Sequence, residues 1–149
     1  MASSTAAAMA GALTALQPLN KEFVFPVGLL GFPDYQRYQL EPFEPGDGSE
    51  SPFLLLSSVG QEVVFPLIHP LSLALDYHFP ASPELLAILK AQSVKDLVPL
   101  LIVTVREKLQ EITVNLQGPV ILHPKTCLGA QLVLEDRPLR YPLLKPATA

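Results

Sequence analysis

Prolines interrupt almost every part of this chain, and that limits what it can fold into. There are 16 of them in 149 residues, about twice the usual share of ~5 %. They are spread out rather than clustered. Each removes a backbone donor and resists continuation of a helix, so the spacing favours short strands that end in loops. Between the prolines lie runs such as "LVPLLIVTV" (Leu97 to Val105) and "ITVNLQGPVIL" (Ile112 to Leu122). The hydrophobic fraction is 49 % and the mean hydropathy is +0.34. A membrane helix needs roughly 18 consecutive apolar residues, and these runs are shorter and proline-broken. They read as strands buried on both faces, and no membrane association is expected.

The residues from Met1 to Leu19 carry no charge and are mostly small. Residues 1–19 read as a flexible Ala-rich N-terminal tail or a weak helix. The stretch lacks the basic start and compact apolar core of a secretory signal, and the arginines of a transit peptide. Residues 20–145 read as a single domain. "KEFVFPVGLLGF" begins with a strand around Phe23 to Phe25 and meets Pro26, Gly28 and Gly31 in a tight loop. "YQRYQLEPF" alternates, placing Tyr38, Leu40 and Phe43 inward. "EPGDGSESP" (Glu44 to Pro52) is a polar turn. "FLLLSSV" and "EVVFPLI", separated by Gly60 and Gln61, form a hairpin. "HPLSLALDYHF" (His69 to Phe79) alternates as a further strand would. "SPELLAILKAQ" is the one helix: Ser82 caps it, Pro83 starts it, and Leu85, Leu86 and Leu89 form its apolar stripe. "AQLVLED" (Ala130 to Asp136) is the last strand.

The fold class that follows is all-β: a small barrel-like or sandwich-like antiparallel structure of about seven short strands with one short helix, which would cover an opening. Core positions are expected at Phe25, Leu54, Val64, Leu101, Val103, Val105, Ile121 and Val133. The polar interruption Asn115-Leu116-Gln117-Gly118-Pro119 within an otherwise apolar run reads as a strand break. Asn115 can satisfy freed backbone groups, Gly118 permits a bulge and Pro119 cannot donate to a ladder.

No set of residues gathers as catalytic chemistry would require. His69, His78 and His123 lack the paired spacing of a zinc site. Cys127 has Lys125 nearby but no cysteine-enzyme signature, and as the single cysteine it cannot form an internal disulfide. There is no G-x-S-x-G elbow, P-loop or G-x-G-x-x-G. "GDG" lacks the remaining ligands of a calcium loop. Net charge is −4 and the basic residues are scattered, which disfavours direct nucleic-acid binding. Glu41, Glu44, Asp47 and Glu50 read as a solvated acidic rim. The residues therefore describe a non-enzymatic domain, without cofactor or metal, that works by binding.

The ordered motifs have a familiar pattern. "FVFPVGLLGFPDYQRYQLEPF" is followed by "SPFLLLSSV", "VVFPLIHP", "LIVTV", "ITVNLQGPVIL" and "KTCLGAQLVLED". From Phe23 to Asp136 the chain resembles the flagellar assembly factor FliW family. The resemblance implies a cytoplasmic bacterial protein, monomeric when free and not an enzyme. It implies two partners, the RNA-binding translational regulator CsrA, which such proteins antagonise, and flagellin, whose binding couples flagellin synthesis to flagellar assembly. A divergent paralogue serving another secreted or filament protein is the alternative. Within the matched motifs, Asp34, Tyr35, His69, Pro70, Asp76, Tyr77 and Asn115 are the expected partner-binding surface positions. His69-Pro70 stands where the family commonly has Asn-Pro, and Arg106 where a proline is common.

Overall fold

The computed structural model describes residues 21–48 and 51–144. The expected N-terminal tail lies outside the described residues. Among those described, eight strands run β1 (Lys21–Val24), β2 (Arg37–Pro42), β3 (Phe53–Ser58), β4 (Val64–Ile68), β5 (Val98–Thr104), β6 (Thr113–His123), β7 (Leu128–Gln131) and β8 (Tyr141–Pro142), with one α-helix, α1 (Pro83–Leu89). The sheet order is β5-β4-β3-β2-β1-β7-β6, and β6 pairs back onto β5, so these strands close into a barrel. β8 lies outside the ring, on the half of β6 that β7 does not reach. All pairings are antiparallel except β1 with β7, which meet at Val24 and Leu128. Closure leaves the ring without a free edge strand.

Alternation along the strands fills the barrel. Phe23, Tyr38, Leu40, Leu54, Leu56, Leu67, Leu100, Val120 and Leu122 point inward with Phe25 and are buried. The Phe25 and Tyr38 rings meet edge to face, with centroids 5.2 Å apart. Gly129 makes this packing possible: a Cβ there would stand 2.5 Å from Phe25 ring atoms. The residues between these inward positions build two further clusters on the outer wall. Ile68, Leu101, Val103, Ile112, Val114 and Leu116 lie under the chain segments that carry Leu73, Leu75, Tyr77, Tyr141 and Leu143. Leu85 and Leu89 of α1 pack with Leu97, Ile121 and Ala130. β5 and β6 are thus buried on both faces, as their uninterrupted apolar runs predict.

The helix forms as its caps dictate. Ser82 Oγ accepts from Leu85 N at 3.1 Å, Pro83 opens the first turn, and Lys90 closes the helix in the left-handed region. It does not cover an opening. Ile121 and Ala130, the residues it covers, point away from the barrel interior, so α1 lies against the outer wall at β6 and β7.

Several expectations are corrected. "HPLSLALDYHF" is not a strand but a 3-10 turn, Pro70–Leu73, followed by chain that pairs with no sheet. Burial still alternates along it, with Leu73, Leu75 and Tyr77 inward. Periodicity reports side-chain direction, and an extended covering segment shares that alternation with a strand. Val64, Val105 and Val133 are exposed rather than core. In β4 the inward residues are Phe65 and Leu67, one step out of phase with Val64, and such a slip reverses the face. β7 ends at Gln131, so Val133 falls in irregular chain. Phe43 lies past the end of β2 and is also exposed.

Gly129→Ala is expected to destabilise the protein by about 1–3 kcal/mol, because the buried Phe25 ring cannot give way. Gly46→Ala, where the added methyl meets nothing, should stay within about 0.5 kcal/mol of the parent. Urea denaturation of the two variants checks this contrast.

Candidate functional site

The polar interruption in β6 is a bulge inside one strand, not its end. Leu100 pairs with Val120, yet Ile102 pairs with Asn115, so residues 116–119 loop out opposite Leu101. Asn115 Oδ1 accepts from Gln117 N at 2.8 Å and from Gly118 N at 2.9 Å. These are the backbone donors that the bulge removes from the ladder. Gly118 is required by crowding, since a Cβ there would stand 2.9 Å from Gln131 Nε2 and 3.1 Å from Asn115 Nδ2. Gln131 in turn donates to Gly118 O and accepts from Leu30 N, each at 2.9 Å. The bulge therefore ties the "VGLLGF" loop to β6 and β7.

Three of the expected surface positions lie around or lead into this bulge. Tyr77 Oη donates to Leu116 O at 2.6 Å, beside Asn115, and the Arg137 guanidinium sits 5.2 Å from its ring centroid. Burial pushes the Tyr77 phenol up to about 12; Arg137 opposes this and Asp136 adds to it. Asp76 is almost fully exposed and pairs with His78 at 2.9 Å. Asp34 and Tyr35 lie apart from this group, in the loop before β2, where Tyr35 stacks on Phe32. His69 and Pro70 are buried, so they are not surface contacts. His69 caps the 3-10 turn, its Nδ1 accepting from Leu71 N at 3.1 Å. An asparagine in this position would share that ability, since both side chains offer an acceptor two residues before a backbone N–H. Desolvation lowers the His69 pKa from its ordinary value, in keeping with a ring that must accept rather than donate.

The feature that sequence reasoning missed is an apolar groove of about 460 Å³ on the outer wall. Phe53 and Leu55 of β3, Pro66 of β4 and Val103 of β5 form its floor. Phe43 stands at one end, and Val105, Leu109, Ile112 and Leu143 wall the other. No side chain in this lining carries a charge or a hydrogen-bonding group. Val105 and Leu109 are each 65 % exposed and Phe43 is 43 % exposed. Outer faces of antiparallel sheets are ordinarily polar, so a contiguous apolar patch of this kind is a candidate contact surface. The misjudged core residues Phe43 and Val105 were its signal: they are apolar because they line the groove. The charged residues Arg106, Glu107, Lys108 and Glu111 follow along its rim, all exposed.

Among the described residues no group of three or more His, Cys, Asp or Glu could hold a metal ion, and no helix is long and apolar enough to cross a membrane.

The sequence profile of the FliW protein family matches residues 11–144. The chain belongs to the FliW family. A flagellar assembly factor FliW from Natranaerobius thermophilus is 40 % identical over 128 residues, covering 83 % of this chain and 82 % of that protein. Those of Treponema denticola (34 %, 73 % of this chain and 71 % of that protein) and Clostridium botulinum (32 %, 81 % and 84 %) are similar over nearly as much. A crystal structure of a flagellar assembly factor FliW superposes with a TM-score of 0.74 at 25 % identity, covering 85 % of this chain and 88 % of that one. The barrel with its outer helix is thus a FliW barrel.

Two outcomes are expected from this region. Asn115→Ala leaves Gln117 N and Gly118 N without their acceptor and should cost about 1–3 kcal/mol in chemical denaturation. For His69 the pKa is lower in the folded state, so its contribution is present above the unfolded value of about 6.5 and is lost as pH falls below it. The parent should therefore lose thermal stability on the acid side of that value more steeply than His69→Asn, which keeps an acceptor but does not titrate. Equal slopes for the two proteins would show that His69 does not drive the loss.

Proposed function

We propose that this FliW-family chain is a non-enzymatic binding protein of flagellar assembly, and that the outer-wall groove is where it holds an apolar surface of flagellin. The observation that carries this reading is the groove itself: an entirely apolar lining, with Val105 and Leu109 mostly open to solvent. Relatives named as flagellar assembly factors supply the pathway. A CsrA-type translational regulator is the second partner, and the net charge of −4 suits a partner that carries a nucleic-acid-binding, basic surface. Asp34, Tyr35 and Asp76 are available as polar contacts, with Tyr77 and Asn115 shaping the surface beside them. The switch is one of linked equilibria: flagellin and CsrA draw on the same small pool of this protein, so a rise in one frees the other. The protein acts in the cytoplasm and is a monomer when free.

A second reading is that the chain serves a different secreted or filament protein. Arg106 and Lys108, beside Val105 and Leu109 on the groove rim, favour it, because they place positive charge where a partner's flank would rest.

Calorimetric titration with purified flagellin and purified CsrA tests both. Micromolar or tighter binding to each is expected. Leu109→Glu should weaken flagellin at least about tenfold, equivalent to about 1.4 kcal/mol, without lowering thermal stability. If neither protein binds, the flagellin–CsrA reading fails; a different filament protein co-purifying from the native host would then support the second.

A further inference from the structure

We propose that the groove takes its partner as an extended strand: a segment that pairs with the open backbone edge at Val105, sets every second, apolar side chain into the groove, and carries a basic residue beside Glu107 and Glu111. This rests on the reading of the groove as a binding surface and adds what kind of segment it binds.

The open edge follows from the register. Ser58 N donates to Val63 O at 2.9 Å. In the β3–β4 ladder, Val63, Phe65 and Leu67 therefore turn their backbone groups toward β3, and Val64, Pro66 and Ile68 turn theirs toward β5. β5 meets them with Leu101 opposite Ile68 and Ile102 opposite Leu67. Continued, that register sets Val103 opposite Pro66 and Val105 opposite Val64. Pro66 has no N–H to give to Val103 O, and the ladder ends there. No backbone hydrogen bond among the described residues joins Val64 to Val105, and no other backbone group takes the place of either. β4 begins at Val64, so no strand stands across from the chain that continues past Val105. An N–H and a C=O left this way on an exposed edge are a template for another chain.

The groove lies along this edge. Pro66, Val103 and Val105 belong to its lining, and Val105 is 65 % exposed. A lining without polar side chains holds apolar groups but gives them no fixed orientation. The unpaired backbone groups supply it. A helical guest has already paired its own N–H and C=O groups and leaves those of Val105 as they are. An extended guest pairs them, and its side chains then alternate between the groove and solvent.

Charge defines the end of the segment. Beyond Val105 the groove opens into a hollow lined by Val105, Arg106, Glu107 and Glu111. Its two carboxylates outnumber its one guanidinium, so the complementary residue on the guest is a Lys or Arg. Within the groove itself a charge would lose its hydration and gain no partner.

The test uses the full chain and assumes no natural partner. A displayed library of random 12-residue peptides is selected on the parent and counter-selected on Leu109→Glu. The expected winners place apolar residues at every second position and end in Lys or Arg. Winners with apolar residues at three- and four-residue spacing, or no enrichment, would overturn the proposal. With the tightest winner made as a free peptide, exchange of the Val105 amide hydrogen should slow at least about tenfold on binding. Binding that leaves this amide unprotected overturns the strand mode. Glu107→Lys combined with Glu111→Lys should weaken that peptide several-fold and strengthen the same peptide ending in Glu; unchanged affinities overturn the charge assignment. All the substituted residues are exposed, and circular dichroism confirms that the variants fold. Flagellin takes no part in the selection. If it fails to bind while the peptides behave as expected, the flagellin reading alone fails. If flagellin binds and the Val105 amide stays unprotected, the strand mode alone fails.

Discussion

The ladder between β5 and β6 is what the rest of the molecule depends on. It closes the ring, and it is the one stretch of wall with apolar layers on both sides. Leu100 and Val120 fill the barrel while Leu101 and Ile121 anchor what lies outside it. A closed ring needs its strands tilted and staggered. Here the stagger at the closing seam is taken up by the bulge at residues 116–119. One strand can then serve two neighbours: its later half pairs with β7 and its earlier half with β8. The bulge survives because Asn115 accepts the two backbone donors it frees and Gly118 leaves room for that side chain.

From this ladder the outer-wall groove follows. Once Leu101, Val103 and Val114 face outward, they must be covered, and the chain supplies the cover from the irregular segment after His69 and from the strand near its end. That cover stops short of Phe53, Leu55, Pro66 and Val105. What remains is the groove. Its floor includes Pro66, which cannot donate to a ladder, and β4 meets β5 at only two positions, Leu67 with Ile102 and Ile68 with Leu101.

Much of the architecture was legible because it is written in local chemistry. Ser82 and Pro83 begin the helix, Gly60 turns the hairpin, and Phe25, Leu54, Leu101, Val103 and Ile121 are buried as expected. Asn115 was identified as the residue that would repair the broken ladder, and it does so. The errors have two origins. Val64 is as apolar as its buried neighbours, and only the register of pairing decides which face it occupies, whereas Phe43, Val105 and Val133 lie beyond the ends of β2, β5 and β7, where no ladder carries them inward. His69 and Pro70 resemble loop residues in a sequence, since a histidine before proline is a common turn start. Their burial comes from Leu73, Leu75 and Tyr77 being drawn down onto the outer wall.

The sequence by itself determined that this chain would be short strands around an apolar interior, with one capped helix, because prolines, caps and alternation act over a few residues. Its ordered motifs also determined the family. Only the tertiary structure decided that the strands close into a ring, that the helix lies against the wall, and that a groove stays open beside it. Those outcomes depend on which distant strands meet and in which register, and a single-residue shift exchanges inside for outside without changing any local preference.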